Sequence, residues 1–139
     1  MKILLAIDGS DHSLRAVDFV ANAGWLQAGS ELLVFTVVPA LPRQVENMAD
    51  PELVRRNYLT EAEEILAPVR HRLSRIGMPV RYDWAAGPAA EGIVHVTEQG
   101  RVDLIVMGSH GQGALSNLVM GSVATRVLAS CNVPVLLVR

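Results

Sequence analysis

A single lysine, Lys2, stands among the 12 basic residues of this 139-residue chain, Cys131 is the only cysteine, and only 4% of residues are aromatic. Each scarcity removes a class of function. With no lysine near any cluster of glycines, a Walker-type phosphate loop is excluded, because that site sets a lysine against the phosphates. One cysteine allows neither an internal disulfide nor a cysteine-rich metal site. No stretch reaches the roughly 18 apolar residues of a membrane helix, and the N-terminus runs straight into strand-like sequence without a signal-peptide pattern. A cytoplasmic protein with no membrane partner is therefore expected. The formal net charge is -2, with both signs spread along the chain, so no nucleic-acid surface is expected either. Gly-x-Gly-x-x-Gly is missing after the first strand, and neither a Gly-x-Ser-x-Gly elbow nor an HExxH helix occurs.

What is present is aliphatic. Half the residues are hydrophobic, so with few rings the core must be built from Val, Leu, Ile and Ala, which suits a parallel sheet covered by helices on both faces. The length fits one domain. Lys2 to Ile7 reads as a buried strand stopped by Asp8-Gly9-Ser10-Asp11, and Leu14, Val17, Ala21, Gly24 and Ala28 mark one face of a first helix closed by Gly29. Glu31 to Val38 follows as a strand. Ala40 to Asp50 has no period and reads as a loop, the only candidate for disorder. Asp50-Pro51 opens the longest helix, with Ala62, Ile65, Leu66, Val69, Leu73 and Ile76 on its inner stripe and a kink or short break expected before Pro68. Val80 to Trp84 alternates like a less buried strand, and Gly87-Pro88 starts a third helix stopped by Gly100. Asp103 to Met107, Gly121 to Ser130 and Val133 to Val138 complete the pattern as strand, helix and strand. Five strands alternating with four helices predict a doubly wound α/β domain.

The chemistry lies directly behind the fourth strand, in Met107-Gly108-Ser109-His110-Gly111 and, nine residues on, Gly121-Ser122. A turn at the C-terminal end of a buried strand is where open α/β sheets hold ligands. Glycines at 108, 111 and 113 let the backbone approach a ligand closely and aim N–H groups into one concavity. The helix starting at Gly121 adds its unsatisfied N–H groups and positive dipole end, so an anion such as phosphate is the natural guest.

Gly108-x-x-Gly111-(nine residues)-Gly121-Ser122, preceded by Asp8 at the end of the first strand, resembles the ATP-binding motif of the universal stress protein family. The likeness covers essentially the whole chain, as one domain over residues 1–139. It implies the strand order 3-2-1-4-5, which sets Asp8 and Gly108 on either side of the topological switch point. It also implies that Asp8 accepts a hydrogen bond from the adenine or ribose end of ATP, although an Asx-turn holding Gly9 and Ser10 explains this residue as well. Val37 matches the position whose main chain reads adenine. Met107, Gly108, His110 and Gly111 match the ribose and phosphate loop, and Gly121, Ser122 and Val123 the phosphate-binding helix start. Ser122 can donate to a phosphate or cap its own helix. A branched side chain at Gly121 would, by this reading, fill the space the phosphates need.

The family often carries Arg or Lys just after its second glycine, where this chain has Gln112. An amide leaves phosphate charge unmatched, a charge that a magnesium ion on the phosphate oxygens would supply. His12 and His110 both fall at the C-terminal edge of the sheet, but two histidines without a positioned acid read as loop residues, and His71 and His95 as surface residues. No residue is identified to orient water, although backbone donors make slow ATP hydrolysis chemically conceivable. The resemblance thus implies a stress-response sensor or regulator that binds an adenine nucleotide without turning it over. The alternative is a dimeric interaction module of the same family that binds no nucleotide. A homodimer through Val133 to Val138 is expected on both readings, because that strand is an apolar sheet edge with Pro134 and Arg139 as its only protections.

Overall fold

The computed structural model describes residues 1–111 and 120–139. Gln112 and Gly113 lie outside the described residues. Strands β1 (Lys2–Ile7), β2 (Glu31–Val38), β3 (Val80–Ala86), β4 (Leu104–Gly108) and β5 (Val135–Val138) form one parallel sheet of order β3-β2-β1-β4-β5. The order is the expected one. β1 is central, and Ile3 to Ile7 are buried. Because side chains alternate across a strand, Ile3, Leu5 and Ile7 join one core layer while Leu4 and Ala6 join the other.

Helices α1 (Asp11–Asn22), α2 (Gly24–Gln27) and α4 (Pro51–Arg72) supply the first layer. Helices α5 (Ala89–Gly100) and α6 (Ser122–Ser130) supply the second. Ser10 caps α1 by accepting from the Ser13 N–H at 3.2 Å, and Asp50 caps α4 by accepting from the Glu52 N–H at 3.0 Å, with Pro51 in the first turn. Each cap satisfies a donor that the helix itself cannot.

Four local expectations are corrected. The first helix does not run on to Ala28: Ala23 leaves helical geometry, α2 restarts behind it, and the buried face is Ser13, Ala16, Val17 and Val20, with Gly24 and Ala28 exposed. Ala40 to Asp50 is no mere loop, because Arg43–Met48 forms a helix, α3. It shows no apolar period because it buries no side chain; Val45 and Met48 are exposed. Its anchor is polar instead: the Tyr58 hydroxyl on α4 accepts from the Leu41 N–H at 2.8 Å and donates to the Glu46 carboxylate, which raises the tyrosine's pKa. α4 passes Pro68 without a break, since a proline removes one ladder bond while Ala62, Leu66, Val69 and Leu73 stay packed on the core. At the end of α5 the left-handed position falls on Arg101, at φ 51°, and not on Gly100, which is the last helical residue.

The two sheet edges differ. β3 alternates, with Arg81 and Asp83 exposed between half-buried Tyr82 and Trp84. Arg70 on α4 lies 4.8 Å from the Tyr82 ring centroid and pairs with Glu63, holding that carboxyl below its usual range, while burial raises the Tyr82 phenol. β5 carries no charge, and all four of its residues are half-buried.

Candidate functional site

The C-terminal ends of β1 and β4, neighbours paired in parallel through Ala6 and Met107, part to open a cleft on the α5 and α6 side of the sheet. Its walls are apolar. Phe35 and Val37 come from β2, Ala6 from β1, Met107 from β4, Ile93 from α5, and Val123 from α6. The rim is polar backbone: Asp8, Gly108, His110, Gly111 and Gly121. The structure thus brings together every expected site residue except Ser122, which is exposed at the start of α6. The interior is only about 80 Å³, and about 530 Å³ when counted out through the open mouth. Small-molecule sites typically enclose about 300–1,000 Å³, so a nucleotide would sit half-inserted in this groove. A roomier hollow of about 280 Å³ lies at the opposite end of the sheet, beside Lys2, Glu31 and Arg81. It has no loop glycine cluster or helix start beside it, and we place the candidate site at the C-terminal cleft.

Three glycines make the rim possible by close approach. A Cβ on Gly108 would stand 2.8 Å from the carbonyl carbon of His12, so β4 ends directly against the first turn of α1. One on Gly111 would overlap Oδ2 of Asp8. One on Gly121 would meet His110 Cα at 3.1 Å, Ser109 O at 3.3 Å and the Gly111 nitrogen at 3.5 Å. A Cβ at Gly121 would press on the loop backbone, so this glycine serves the docking of the loop onto α6.

Asp8 does form the Asx-turn, its Oδ1 accepting from the Ser10 N–H at 2.9 Å, while Oδ2 faces Gly111. Ser13, 3% exposed, accepts from the Asp8 N–H at 3.3 Å and donates to the Ser10 carbonyl, locking the turn from below. At the other lip the Gly121 N–H donates to the Ser109 carbonyl at 2.6 Å, and the Ser109 N–H donates to the Val138 carbonyl at 2.8 Å, tying the loop to α6 and β5. Gly121, not Ser122, occupies the cap position of α6, and among the described residues no side chain caps that helix. A helix N-terminus whose cap residue has no side chain offers first-turn N–H groups to an anion. Ser122 is the first helical residue and cannot be its own cap.

The His12 and His110 rings lie with centroids 5.0 Å apart at an interplanar angle of 50°, and His110 Nδ1 is 3.0 Å from the Ser109 hydroxyl. His71 and His95 are exposed on their helices. No group of three or more His, Cys, Asp or Glu is placed to hold a metal among the described residues. Sequence reasoning missed Ser13, Phe35 and Ile93 as cleft residues. Phe35 was within reach of it, since it shares a strand face with Val37; Ile93 was not, because only the packing of Gly92 on Val37 brings α5 so close.

The universal stress protein family model matches residues 1–139. A universal stress protein of Thermus aquaticus, encoded in the QAH/OAS sulfhydrylase 3′ region, is 38% identical over 139 residues, covering 99% of this chain and 97% of the relative. The solved structure of MJ0577, from Methanocaldococcus jannaschii, superposes with a TM-score of 0.82 at 29% identity, covering 99% of this chain and 94% of that one. A universal stress protein of Archaeoglobus fulgidus, solved in complex with dAMP, has a TM-score of 0.70 and covers 100% of this chain and 98% of its own; at 23% identity it speaks for the fold alone. With the family model matched from end to end, the chain belongs to the universal stress protein family.

Proposed function

We propose that the C-terminal cleft binds an adenine nucleotide, ATP or a close relative, and that the protein acts in stress response as a sensor or regulator and not as a turnover enzyme. The observation that carries this is the pairing, in one cleft, of an apolar slot between Phe35, Val37, Ile93 and Met107 with a glycine rim and the glycine-capped start of α6. A flat base fits the slot, and phosphates fit the first-turn N–H groups of such a helix. Support also comes from neighbours of the same fold solved with dAMP, AMP and cAMP. On this reading the ribose lies over Gly108 and Gly111 beside Asp8, and the phosphates lie at Ser122 and Val123. Magnesium, where present, would ride on the phosphates and supply the charge that the chain does not place there. Among the described cleft-lining residues, none but Asp8 and His110 is ionisable, which leaves little to drive hydrolysis.

We further propose a homodimer through β5. Of the two edges, β3 is protected by exposed Arg81 and Asp83, whereas β5 is uncharged and half-buried. Pairing with a second copy would satisfy the outward backbone groups of that edge.

Thermal melts with Mg-ATP, ADP and AMP test the nucleotide reading. A ligand at 100 times its dissociation constant stabilises the native state by about 2.7 kcal/mol. For a chain of this length that raises the melting temperature by roughly 5–10 °C. Melts unmoved by millimolar nucleotide would favour the alternative, a dimeric interaction module.

A further inference from the structure

Resting on the nucleotide reading above, we infer that the cleft selects its adenine nucleotide by net charge: it takes the monophosphate, or a polyphosphate already bound to a divalent cation, in preference to free ATP. None of the described residues lining the cleft is a lysine or arginine, and residues 112–119 carry no ionisable side chain. The chain's cations stand elsewhere. Lys2 and Arg81 line the hollow at the opposite end of the sheet. Arg56, Arg70 and Arg72 pair with Glu52, Glu63 and Asp18. Arg126 lines the groove between α5 and α6 beside Glu91 and Glu98. Arg15 on α1 and Arg139 after β5 are exposed and do not line the cleft.

What the cleft offers a phosphate is therefore backbone: the glycine rim and the first turn of α6, whose dipole end is equivalent to about half a positive charge. The acid on the rim is Asp8, whose Oδ1 accepts from the Ser10 N–H and whose Oδ2 faces Gly111. One phosphate fits such a set of donors. A second and a third bring further negative charge to the side of Asp8, and no lining lysine or arginine meets it. They also extend into water from a cleft whose interior is only about 80 Å³. Each thus adds repulsion without adding a side-chain cation contact. A divalent cation on the phosphate oxygens lowers the charge of ATP from about -4 to about -2, the charge of AMP, and so removes the difference.

The test is titration of the full chain with AMP, ADP and ATP, followed by amide chemical shifts at pH 8, with a chelator or with excess magnesium, at low and at high salt. Without the divalent cation, affinity should fall about two- to sixfold for each phosphate after the first, the Coulomb effect of one more charge roughly 8 Å from a carboxylate at a near-aqueous dielectric. Magnesium should bring ATP to within about twofold of AMP, since the two then carry like charge. More salt should leave the affinity for free ATP unchanged or raise it, because salt screens repulsion as it screens attraction. Ser122→Lys sets a cation on the exposed first residue of α6; in that variant free ATP should overtake AMP and lose affinity as salt rises. Free ATP that binds the wild type as tightly as AMP does, or that loses affinity with salt, would overturn the inference and leave the nucleotide reading standing. A folded Ser122→Lys protein that keeps the wild-type order would overturn it as well, and the wild-type titrations decide the matter if that variant does not fold. Absence of binding by all three nucleotides, with and without magnesium, would overturn both.

Discussion

Gly108→Ala isolates the contact on which the site's geometry depends. The added methyl would stand 2.8 Å from the carbonyl carbon of His12, 2.9 Å from its Cβ and 3.0 Å from its carbonyl oxygen. Carbon atoms in good contact sit about 3.5–4.0 Å apart. Two of the three obstructing atoms are backbone, so no rotamer change relieves the overlap. β4 is held between β1 and β5, and α1 is fixed by its Ser10 cap, so one of them must shift. Overpacking of this kind costs about 1–3 kcal/mol. Alanine also stiffens the unfolded chain, which returns about 0.4–1 kcal/mol. A net loss of about 1–2 kcal/mol results, and at about 2.1 cal/mol/K per residue it lowers the melting temperature by roughly 3–7 °C. Gly24→Ala is the control, since nothing lies within 4 Å of its Cβ position. It should melt about 1–3 °C above wild type, on the unfolded-state effect alone. Circular dichroism melts of the three proteins decide the matter. Gly108→Ala melting with Gly24→Ala, at or above wild type, would refute the claim that β4 ends hard against α1.

Arg70→Ala should lower the urea midpoint at pH 7 and lower it less at pH 3, when both proteins are compared with wild type at the same pH. Hydrogen bonding to Arg70 depresses the Glu63 pKa from its ordinary 4.5, so this pair's contribution is present above that value and is lost as pH falls through the folded-state pKa. The gap does not close fully, because the guanidinium still covers Tyr82 at low pH; an identical gap at both pH values would show the ion pair to be inert. Sedimentation at micromolar concentration should return a dimer mass. Pro134 and Val138 turn their carbonyls to β4, and alternation sends the Leu137 N–H outward. Leu137→Pro should therefore shift the protein to monomer, whereas a wild type monomeric across that range would exclude the β5 interface.

The sheet was legible because its strands, four aliphatic runs and one alternating segment, β3, are punctuated by Asp8-Gly9, Pro39, Gly77 and Gly100. Its order was legible only through the family resemblance, for nothing in the residues themselves says that β4 lies beside β1. α3 was invisible for the opposite reason: hydrophobic periodicity reports helices that bury a face, and α3 is held by Tyr58 and Glu46 instead. The glycines of the motif were read as making room for a ligand. The distances show that Gly108, Gly111 and Gly121 first make room for the protein's own His12, Asp8 and loop backbone. The Gly108–His12 and Gly111–Asp8 contacts link residues about 100 positions apart and have no local signature. Ser122 was misread by one position because Gly121, with no side chain to offer, takes the cap geometry itself.

The central claim is that an adenine nucleotide occupies the C-terminal cleft, and amide chemical shifts of labelled protein titrated with Mg-ATP test it most directly. Saturable shifts should concentrate at Val37, Gly108, Gly111, Ser122 and Val123, with residues around the hollow at the other end of the sheet, such as Arg81 and Val102, unmoved. A spectrum unchanged at millimolar nucleotide, or shifts confined to that other end, would contradict it.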